Sequence, residues 1–273
     1  RRFSTLEGLP DNSIYGVAVN TNGRNRFVWA AAFGYGLVKY DGKKFTTFTD
    51  KDGLLDNFVH CVLVDKRGIV WCGTNEGISR YDGVKFLNMT LEDMKISEKG
   101  VYTILEDKKG ILWFGTEGGL IAYAGEGTVT TYDEAEGLNA KEINCLAEDK
   151  RGWIWIGTST GGLYCLDPAS KQKININPVA GDSLLGANSI RSLVFLSDTE
   201  LLAGTTKGLC RISLGKNGKV SSVRKYDGSD GFIGVECNDN AMLKDAGGNV
   251  WIGTVKCLTR CNPKGEIRNM DPP

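Results

Sequence analysis

Six copies of one short sequence pattern constrain the fold of this chain more than any other feature. The pattern is Trp-x-Gly-Thr, complete in four copies and degenerate in two. Its anchor residues are Trp29, Trp71, Trp113, Trp155, Leu202 and Trp251. Successive anchors are separated by 42, 42, 42, 47 and 49 residues. A period of this length is typical of proteins built from one repeated supersecondary unit, in which neighbouring units bury each other's apolar faces.

Each repeat contains the signals of four short antiparallel strands. In the repeat around Trp71, a β-rich run is followed by Asp65-Lys66-Arg67-Gly68, in which Asp can accept a backbone N–H and Gly tolerates a positive φ. The four predicted strands of this repeat are residues 58–64, 69–74, 78–81 and 85–90. Four strands in one such period form one blade of a β-propeller. The sequence therefore predicts an all-β, six-bladed β-propeller of four-stranded antiparallel blades, with a seven-bladed or truncated propeller as the alternative.

The Trp and Gly of the tetrapeptide lie on the same face of their predicted strand, because side chains alternate along a strand. We expect each Trp to pack against the neighbouring blade, and each Gly to leave room for a close approach. The Trp residues are therefore interpreted as core residues rather than as a surface for stacking a ligand.

The whole chain, residues 1–273, is predicted to be a single propeller domain. Residues 1–10 match the fourth-strand sequence that begins at Phe45, so residues 1–6 are a candidate ring-closing strand. Residues 266–270 compete for the same place at the edge of the last blade. The sequence begins at Arg1 without a signal sequence, and we interpret it as a mature or excised piece of a protein.

The composition argues against several classes of function. Lys plus Arg and Asp plus Glu each total 33, so no net charge favours nucleic acid or an anionic membrane. No apolar run approaches the ~18 residues of a membrane span, and no direct membrane insertion is expected. The eight Cys fall at core-like positions without zinc-ligand spacing. We therefore expect free, buried thiols, which are typical of a reducing setting.

The ordered combination of Gly-Leu/Ile-x-x-Tyr-Asp-Gly, Asp-Gly-Leu-x-x-Asn and Asp-x-x-Gly-x-x-Trp-x-Gly-Thr resembles the two-component regulator propeller repeat. The resemblance covers essentially the whole chain. It implies a sensor module of a bacterial hybrid two-component receptor, in the periplasm or outside the cell, with a glycan as a frequent ligand. Receptors of this family continue into a β-sandwich module, a membrane span and a kinase, which this sequence does not contain. The Cys content also departs from that expected in an oxidising periplasm.

The most informative variation between repeats lies eleven residues before the anchor. With the first repeat corrected for an insertion, this position holds a polar or hydrogen-bonding side chain every time. The six variable residues are Tyr15, His60, Tyr102, Asn144, Arg191 and Asn240. First strands line the central channel of a propeller, so we hypothesise that these residues surround one mouth of the channel and bind the ligand. The alternative is a structural role, in which they cap strand ends and bind water.

A second candidate surface consists of the loops that join each fourth strand to the next first strand. Loops on a rigid scaffold often carry binding residues, and these loops hold most of the length variation between repeats. They are residues 7–12, 52–57, 91–100, 134–141, 178–188 and 227–235. Trp153 and Tyr35 are additional candidates for stacking against a sugar.

Enzyme signatures are weak in this sequence. No nucleophile elbow, phosphate-binding loop or dinucleotide fingerprint is present, so no cofactor is expected. His60 is the only His, and any catalytic triad would have to use it. The sequence therefore predicts a sensor propeller that binds a small molecule or oligosaccharide without catalysis. A protein–protein interaction scaffold is the first alternative. A propeller lyase, similar in blade pattern to streptogramin-inactivating enzymes, is the least favoured because it needs a metal-assisted His/Glu site.

Overall fold

A computed structural model describes the chain except for eleven short segments. The segments outside the description are residues 1–2, 23–24, 95–99, 126–127, 134–137, 139–141, 171–172, 176–184, 216–217, 263–266 and 271–273. In the described part, the strands form six four-stranded antiparallel sheets, and each sheet is a meander of consecutive strands. The protein is therefore a six-bladed β-propeller with four-stranded blades, as the sequence predicts. None of the described helices has the length and apolar character needed to span a membrane.

The chain forms two compact units, and the first comprises residues 1–132. It contains blades one to three. Blade one is β1 Ile14–Asn22, β2 Asn25–Ala32, β3 Gly36–Tyr40 and β4 Phe45–Phe48. Blade two is β5 Val59–Val64, β6 Val70–Thr74, β7 Gly77–Tyr81 and β8 Phe86–Thr90. Blade three is β9 Val101–Glu106, β10 Leu112–Thr116, β11 Leu120–Tyr123 and β12 Val129–Tyr132. Short 3-10 helices lie at Thr5–Glu7 and Asp50–Asp52.

The second unit comprises residues 133–273 and contains blades four to six. Blade four is β13 Ile143–Glu148, β14 Ile154–Thr158, β15 Leu163–Leu166 and β16 Lys173–Asn175. Blade five is β17 Ile190–Ser197, β18 Glu200–Thr205, β19 Gly208–Leu214 and β20 Val220–Tyr226. Blade six is β21 Cys237–Lys244, β22 Val250–Thr254, β23 Leu258–Cys261 and β24 Ile267–Met270. A 3-10 helix lies at Gly228–Asp230.

The two ends of the chain differ in structure. Strand β24 pairs with β23 and forms the fourth strand of blade six, the place for which the two ends of the sequence compete. Near the other end, Ser4 caps the Thr5–Glu7 helix, and the ring of Phe3 packs 4.9 Å from that of Tyr40. In the described residues, the N-terminal segment therefore forms a capped turn rather than a strand.

Trp71 and Trp155 pack against the next blade of their own unit. The Trp71 ring lies 6.0 Å from Phe114 and 5.6 Å from Tyr123, both of blade three, and it is completely buried. In the second unit, the buried Trp155 ring lies 6.0 Å from Phe195 of blade five. Full burial of a large apolar side chain contributes roughly 1.5–3 kcal/mol, so these contacts hold neighbouring blades together. The predicted core role of these Trp residues is confirmed.

The Asp that opens the first hairpin is bonded to the Trp anchor of its own blade. Asp65 Oδ1 accepts the backbone N–H of Arg67 and of Ile69, both at 2.9 Å. Its Oδ2 accepts the indole N–H of Trp71 at 3.1 Å. The same carboxylate–indole bond joins Asp107 to Trp113, Asp149 to Trp155 and Asp245 to Trp251. A buried indole N–H requires an acceptor, so the Asp-x-x-Gly turn and the Trp form one structural unit.

The two degenerate repeats differ in what they lack: blade five lacks both the Asp and the Trp, and blade one lacks only the Asp. Blade five has Leu202 in place of Trp and Leu196 in place of Asp. Blade one keeps Trp29 but has no Asp at the equivalent position, and its buried indole N–H has no hydrogen-bond partner among the described residues. Blade one therefore carries a cost that the other Trp-containing blades avoid.

All eight Cys are free and buried. Seven lie within strands, and Cys257 lies one residue before β23. Burial raises the pKa of Cys61, Cys165 and Cys237 to about 12 each. The prediction of free, buried thiols is confirmed.

Candidate functional site

The variable position coincides with a β-bulge in the first strand of blades one to five. In blade two, Val59 pairs with Thr74 and Cys61 pairs with Gly73, so His60 is an extra residue with no partner in the ladder. The same irregularity places Tyr15, Tyr102, Asn144 and Arg191 at the extra position of their blades. A bulge bends the strand and re-aims the side chain that it carries. The variable residues are therefore presented by a repeated backbone device.

Blade six has a larger bulge at the same place. Cys237 pairs with Thr254 and the next paired residue is Met242, opposite Ile252, so several residues of β21 bulge out together. The exposed residues Asn238, Asp239 and Asn240 belong to this segment. Asn240 has a φ of 50°, the only positive φ among the described non-glycine residues. Asn tolerates the left-handed region better than most residues, which suits it to this enlarged bulge.

Three of the variable residues meet in the first unit. The rings of Tyr15 and His60 lie 6.3 Å apart, and those of His60 and Tyr102 lie 4.8 Å apart. Two further aromatic residues join them. The Phe33 ring stacks on Tyr15 at 4.6 Å with 10° between the planes, and it contacts both Phe58 and His60 at 5.2 Å. We call Tyr15, Phe33, Phe58, His60 and Tyr102 the aromatic surface.

Partial burial favours the neutral form of His60, and Asn75 orients its ring. Its Nε2–H donates to Asn75 Oδ1 at 2.6 Å, and the Asn75 backbone N–H donates to Asp56 Oδ2 at 3.2 Å. Partial burial lowers the pKa of His60, although Asn75 and the Asp56 charge act in the opposite direction. The imidazole therefore stays uncharged at neutral pH and contributes a ring face and one donated hydrogen bond.

In the second unit, Asn144 has a structural role. Its side chain is buried, and its Nδ2 donates to the Ile190 carbonyl oxygen of the next blade at 3.0 Å. This bond satisfies a backbone acceptor at the start of β17, beside the bulge at Arg191. The Asn144 amide thus joins two neighbouring blades, and a role in ligand binding stays a prediction for this residue.

Arg191 lies between two carboxylates. Its Nη1 is 2.8 Å from Asp239 and its Nη2 is 3.1 Å from Glu236. The surrounding protein partly removes Asp239 from water and raises the pKa of this carboxyl, while Arg191 acts in the opposite direction. The guanidinium is therefore held by the segment that forms the enlarged bulge of blade six, which orients it for further contacts.

The sequence did not single out four of these residues. All four lie outside the aligned position. Phe33, Glu236 and Asp239 each contact one of the variable residues, and Phe58 contacts Phe33. Comparison at other repeat positions carried a signal for Phe33 and Phe58. At the position of Phe33 the other repeats have Asn, Glu, Ser, Thr or Val. At the position of Phe58 they have Ser, Gly or Glu.

The second candidate surface is only partly described. Of its loops, residues 95–99, 134–137, 139–141 and 178–184 lie outside the described residues. Tyr35 is half exposed, and the Arg151 guanidinium stacks 3.9 Å above the Trp153 ring. No group of three or more His, Cys, Asp or Glu side chains suited to a metal ion occurs in the described part of the chain.

Comparison with protein families gives a match over blades two to four. Residues 53–76, 95–118 and 137–160 match the model of the two-component regulator propeller. A search of functionally curated proteins found no match.

Solved structures similar to this chain include receptors and enzymes. The extracellular domain assigned to the hybrid two-component system BT3049 of B. thetaiotaomicron has a TM-score of 0.76 and 24% identity, covering 96% of this chain and 35% of that one. The corresponding domain of BT4673 has a TM-score of 0.53 and 19% identity, covering 93% of this chain and 40% of that one. Virginiamycin B lyase from Staphylococcus aureus has a TM-score of 0.71 and 15% identity, covering 94% of this chain and 84% of that one. At these identities the likeness shows the fold alone, and this chain spans little more than a third of either receptor domain.

Proposed function

We propose that this chain, which carries two-component regulator propeller repeats, is the ligand-binding sensor part of an extracytoplasmic receptor. Its ligand is a glycan or another small polar molecule, and it is bound without catalysis. The structural neighbours that are extracellular domains of two-component systems support this proposal, as does the repeat match.

The observation that carries the proposal is the repeated bulge. Blades one to five carry Tyr, His, Tyr, Asn and Arg at the same backbone irregularity, and blade six carries Asn at an enlarged one. In blades one to five, the two residues that flank the bulged residue are apolar or small. The packing of the sheets therefore does not require the bulged residue itself to vary. A constant scaffold with variable side chains at one place is the arrangement expected of a binding site.

A lyase is the enzymatic alternative, because streptogramin B and virginiamycin B lyases are among the structural neighbours. The surroundings of His60 favour binding instead. Its Nε2–H is donated to an amide oxygen, and its ring contacts aromatic rings. A metal-assisted lyase would also need further ligands beside His60, and no group of three or more His, Cys, Asp or Glu side chains suited to a metal ion occurs among the described residues.

A ligand screen with two substitutions tests the proposal. We expect an oligosaccharide or another small polar compound to raise the melting temperature of the protein. We further expect His60→Ala and Arg191→Ala to weaken its binding about tenfold or more. Val84→Ala is the matched control, since Val84 is 88% exposed at a hairpin tip away from the bulges.

Unchanged affinity in both substituted proteins would contradict the assignment of the site. A stabilising divalent metal, with turnover of a streptogramin-type substrate, would favour the lyase instead.

A further inference from the structure

Two of the rings in the aromatic surface of the first unit are exposed to solvent. Tyr15 is 53% exposed and Phe58 is 43% exposed, while Phe33 lies between them, half-buried. An isolated backbone bridge pairs Phe33 with Phe58 and fixes the two rings relative to each other. The result is a contiguous set of ring faces contributed by two neighbouring blades.

The repeat itself does not demand these aromatic residues. Phe33 occupies a position where the other five repeats have Asn75, Glu117, Ser159, Thr206 and Val255. Phe58 immediately precedes the first paired residue of its blade, where the other blades have Ser13, Gly100, Glu142, Ser189 and Glu236. A blade therefore folds without an aromatic residue at either place. Phe33 and Phe58 consequently have a role that belongs to this surface rather than to the blade.

The polar groups beside the rings narrow the chemistry of the ligand. The neutral imidazole of His60, the Asn75 amide and the Asp56 carboxylate form a connected chain next to the ring faces. Amide and carboxylate oxygens accept hydroxyl protons, whereas a carboxylate repels a second anion. The combination suits an uncharged ring that has an apolar face and hydroxyl groups around its edge.

We infer that the aromatic surface binds the flat face of a neutral pyranose ring by stacking, and that Asp56 disfavours acidic sugars. This inference rests on the proposed function, since it specifies the ligand class and the subsite of the same sensor. Phe58 and Tyr15 supply the exposed faces, and Phe33 supports Tyr15 from behind. Large flat aromatic rings suit this role because they offer apolar contact area at little entropic cost.

Calorimetric titration of the intact chain with two sets of hexasaccharides tests the inference. The neutral set is cellohexaose, xylohexaose, maltohexaose and mannohexaose, and the acidic set is hexagalacturonate and a heparin hexasaccharide. We expect at least one neutral sugar to bind and the acidic sugars to bind at least about tenfold more weakly.

Substitutions locate the subsite. Tyr15→Ala and Phe58→Ala should each weaken binding of the neutral sugar about tenfold, and Tyr15→Phe should retain it. Leu6→Ala, at a residue that is 92% exposed elsewhere on the same unit, should have no effect. Asp56→Asn should reduce the discrimination against hexagalacturonate. The melting temperature of each variant is measured first, to show that it is folded.

Three results would overturn the inference. If a neutral sugar binds but Tyr15→Ala and Phe58→Ala keep their affinity within twofold, stacking on this surface is wrong while the sensor function stands. If acidic sugars bind more tightly than neutral ones, the charge argument is wrong and the sensor function again stands. If no hexasaccharide binds but an aromatic compound such as 4-nitrophenol does so at Phe58, the ring face is used but the sugar assignment fails.

Discussion

At the scale of single residues, the Asp of the first hairpin determines whether the buried indole N–H of the Trp anchor has a hydrogen-bond acceptor. Asp107 is buried and accepts the Trp113 indole N–H at 3.0 Å, while Trp29 has no such acceptor among the described residues. Blade one thus provides a natural comparison for the energetic value of the bond. Hydrogen bonds to charged groups contribute about 1.5–3 kcal/mol, so the comparison should be measurable.

Trp113→Phe should therefore destabilise the protein more than Trp29→Phe, by about 1–2 kcal/mol, because only the first change removes a hydrogen bond from a buried carboxylate. Urea unfolding of the two variants measures the difference. The double variant Asp107→Ala/Trp113→Phe should cost less than the sum of its single changes. Equal losses for the two Trp variants would contradict this account.

The second residue-scale prediction concerns His60 and pH. Its folded pKa lies below the usual value of about 6.5, so the unfolded chain binds the proton first as pH falls. Stability from this group is therefore complete above about pH 6.5, is lost as pH drops below that value, and stops changing below the folded pKa.

Because His60 is the only His, His60→Gln should remove this component completely. Melting temperatures at a series of pH values between about 7.5 and 5 test it, in the range where an unperturbed imidazole titrates. The wild type should lose more stability on acidification than the variant. Identical curves would show that the imidazole does not favour the neutral form in the folded protein.

At the scale of the strand, the Gly of the repeated tetrapeptide leaves room for a side chain of its own blade and for the first strand of the next blade. A Cβ at Gly73 would lie 2.5 Å from Cys61 Sγ and 2.5 Å from the Val101 carbonyl oxygen, which belongs to the next blade. Backbone atoms of a strand cannot move aside without disturbing the ladder. The Gly is thus required by the approach of the neighbouring first strand, as predicted from the alternation of side chains.

Gly73→Ala should destabilise the protein by about 1–3 kcal/mol, the usual cost of overpacking. Gly228→Ala is the matched control, because a Cβ there meets nothing within 4 Å and the φ is not positive. Chemical unfolding of both variants measures the effect. A loss at Gly228 equal to that at Gly73 would show that steric contact is not the cause.

At the scale of the whole molecule, the buried thiols report on the folding of both units. Burial raises the pKa of the Cys210 thiol to about 11 and also raises those of Cys72, Cys145 and Cys261. Since the thiolate is the reactive form, native protein should react slowly with a thiol reagent such as DTNB.

In denaturant without reductant, all eight thiols should react. Fewer than eight would mean that some form disulfides. Fast reaction of one or two in the native protein would identify a blade that opens locally. The titration therefore tests the free-thiol prediction and the integrity of the blades together.

Much of this architecture was predictable because its determinants are local. The 42-residue period, the Asp-x-x-Gly turn and the alternation around each Trp predicted the blades and their number, and the match over blades two to four confirms the resemblance to regulator propeller repeats. Alignment also found the variable position, since the bulge lies eleven residues before the anchor in blades two to five. Neither signal depends on contacts between distant residues.

The partners of the variable residues required the tertiary structure. Arg191 meets Glu236 45 residues further along the chain, and Phe33 meets Phe58 through one isolated bridge between blades. Stacking of one blade on the next produces these contacts, and the bulges aim the side chains into them. A sequence period shows which residues are equivalent, but only packing decides which of them touch. The sequence by itself therefore determined the scaffold, and the tertiary structure decided that the first unit presents an aromatic surface while the second holds an arginine between carboxylates.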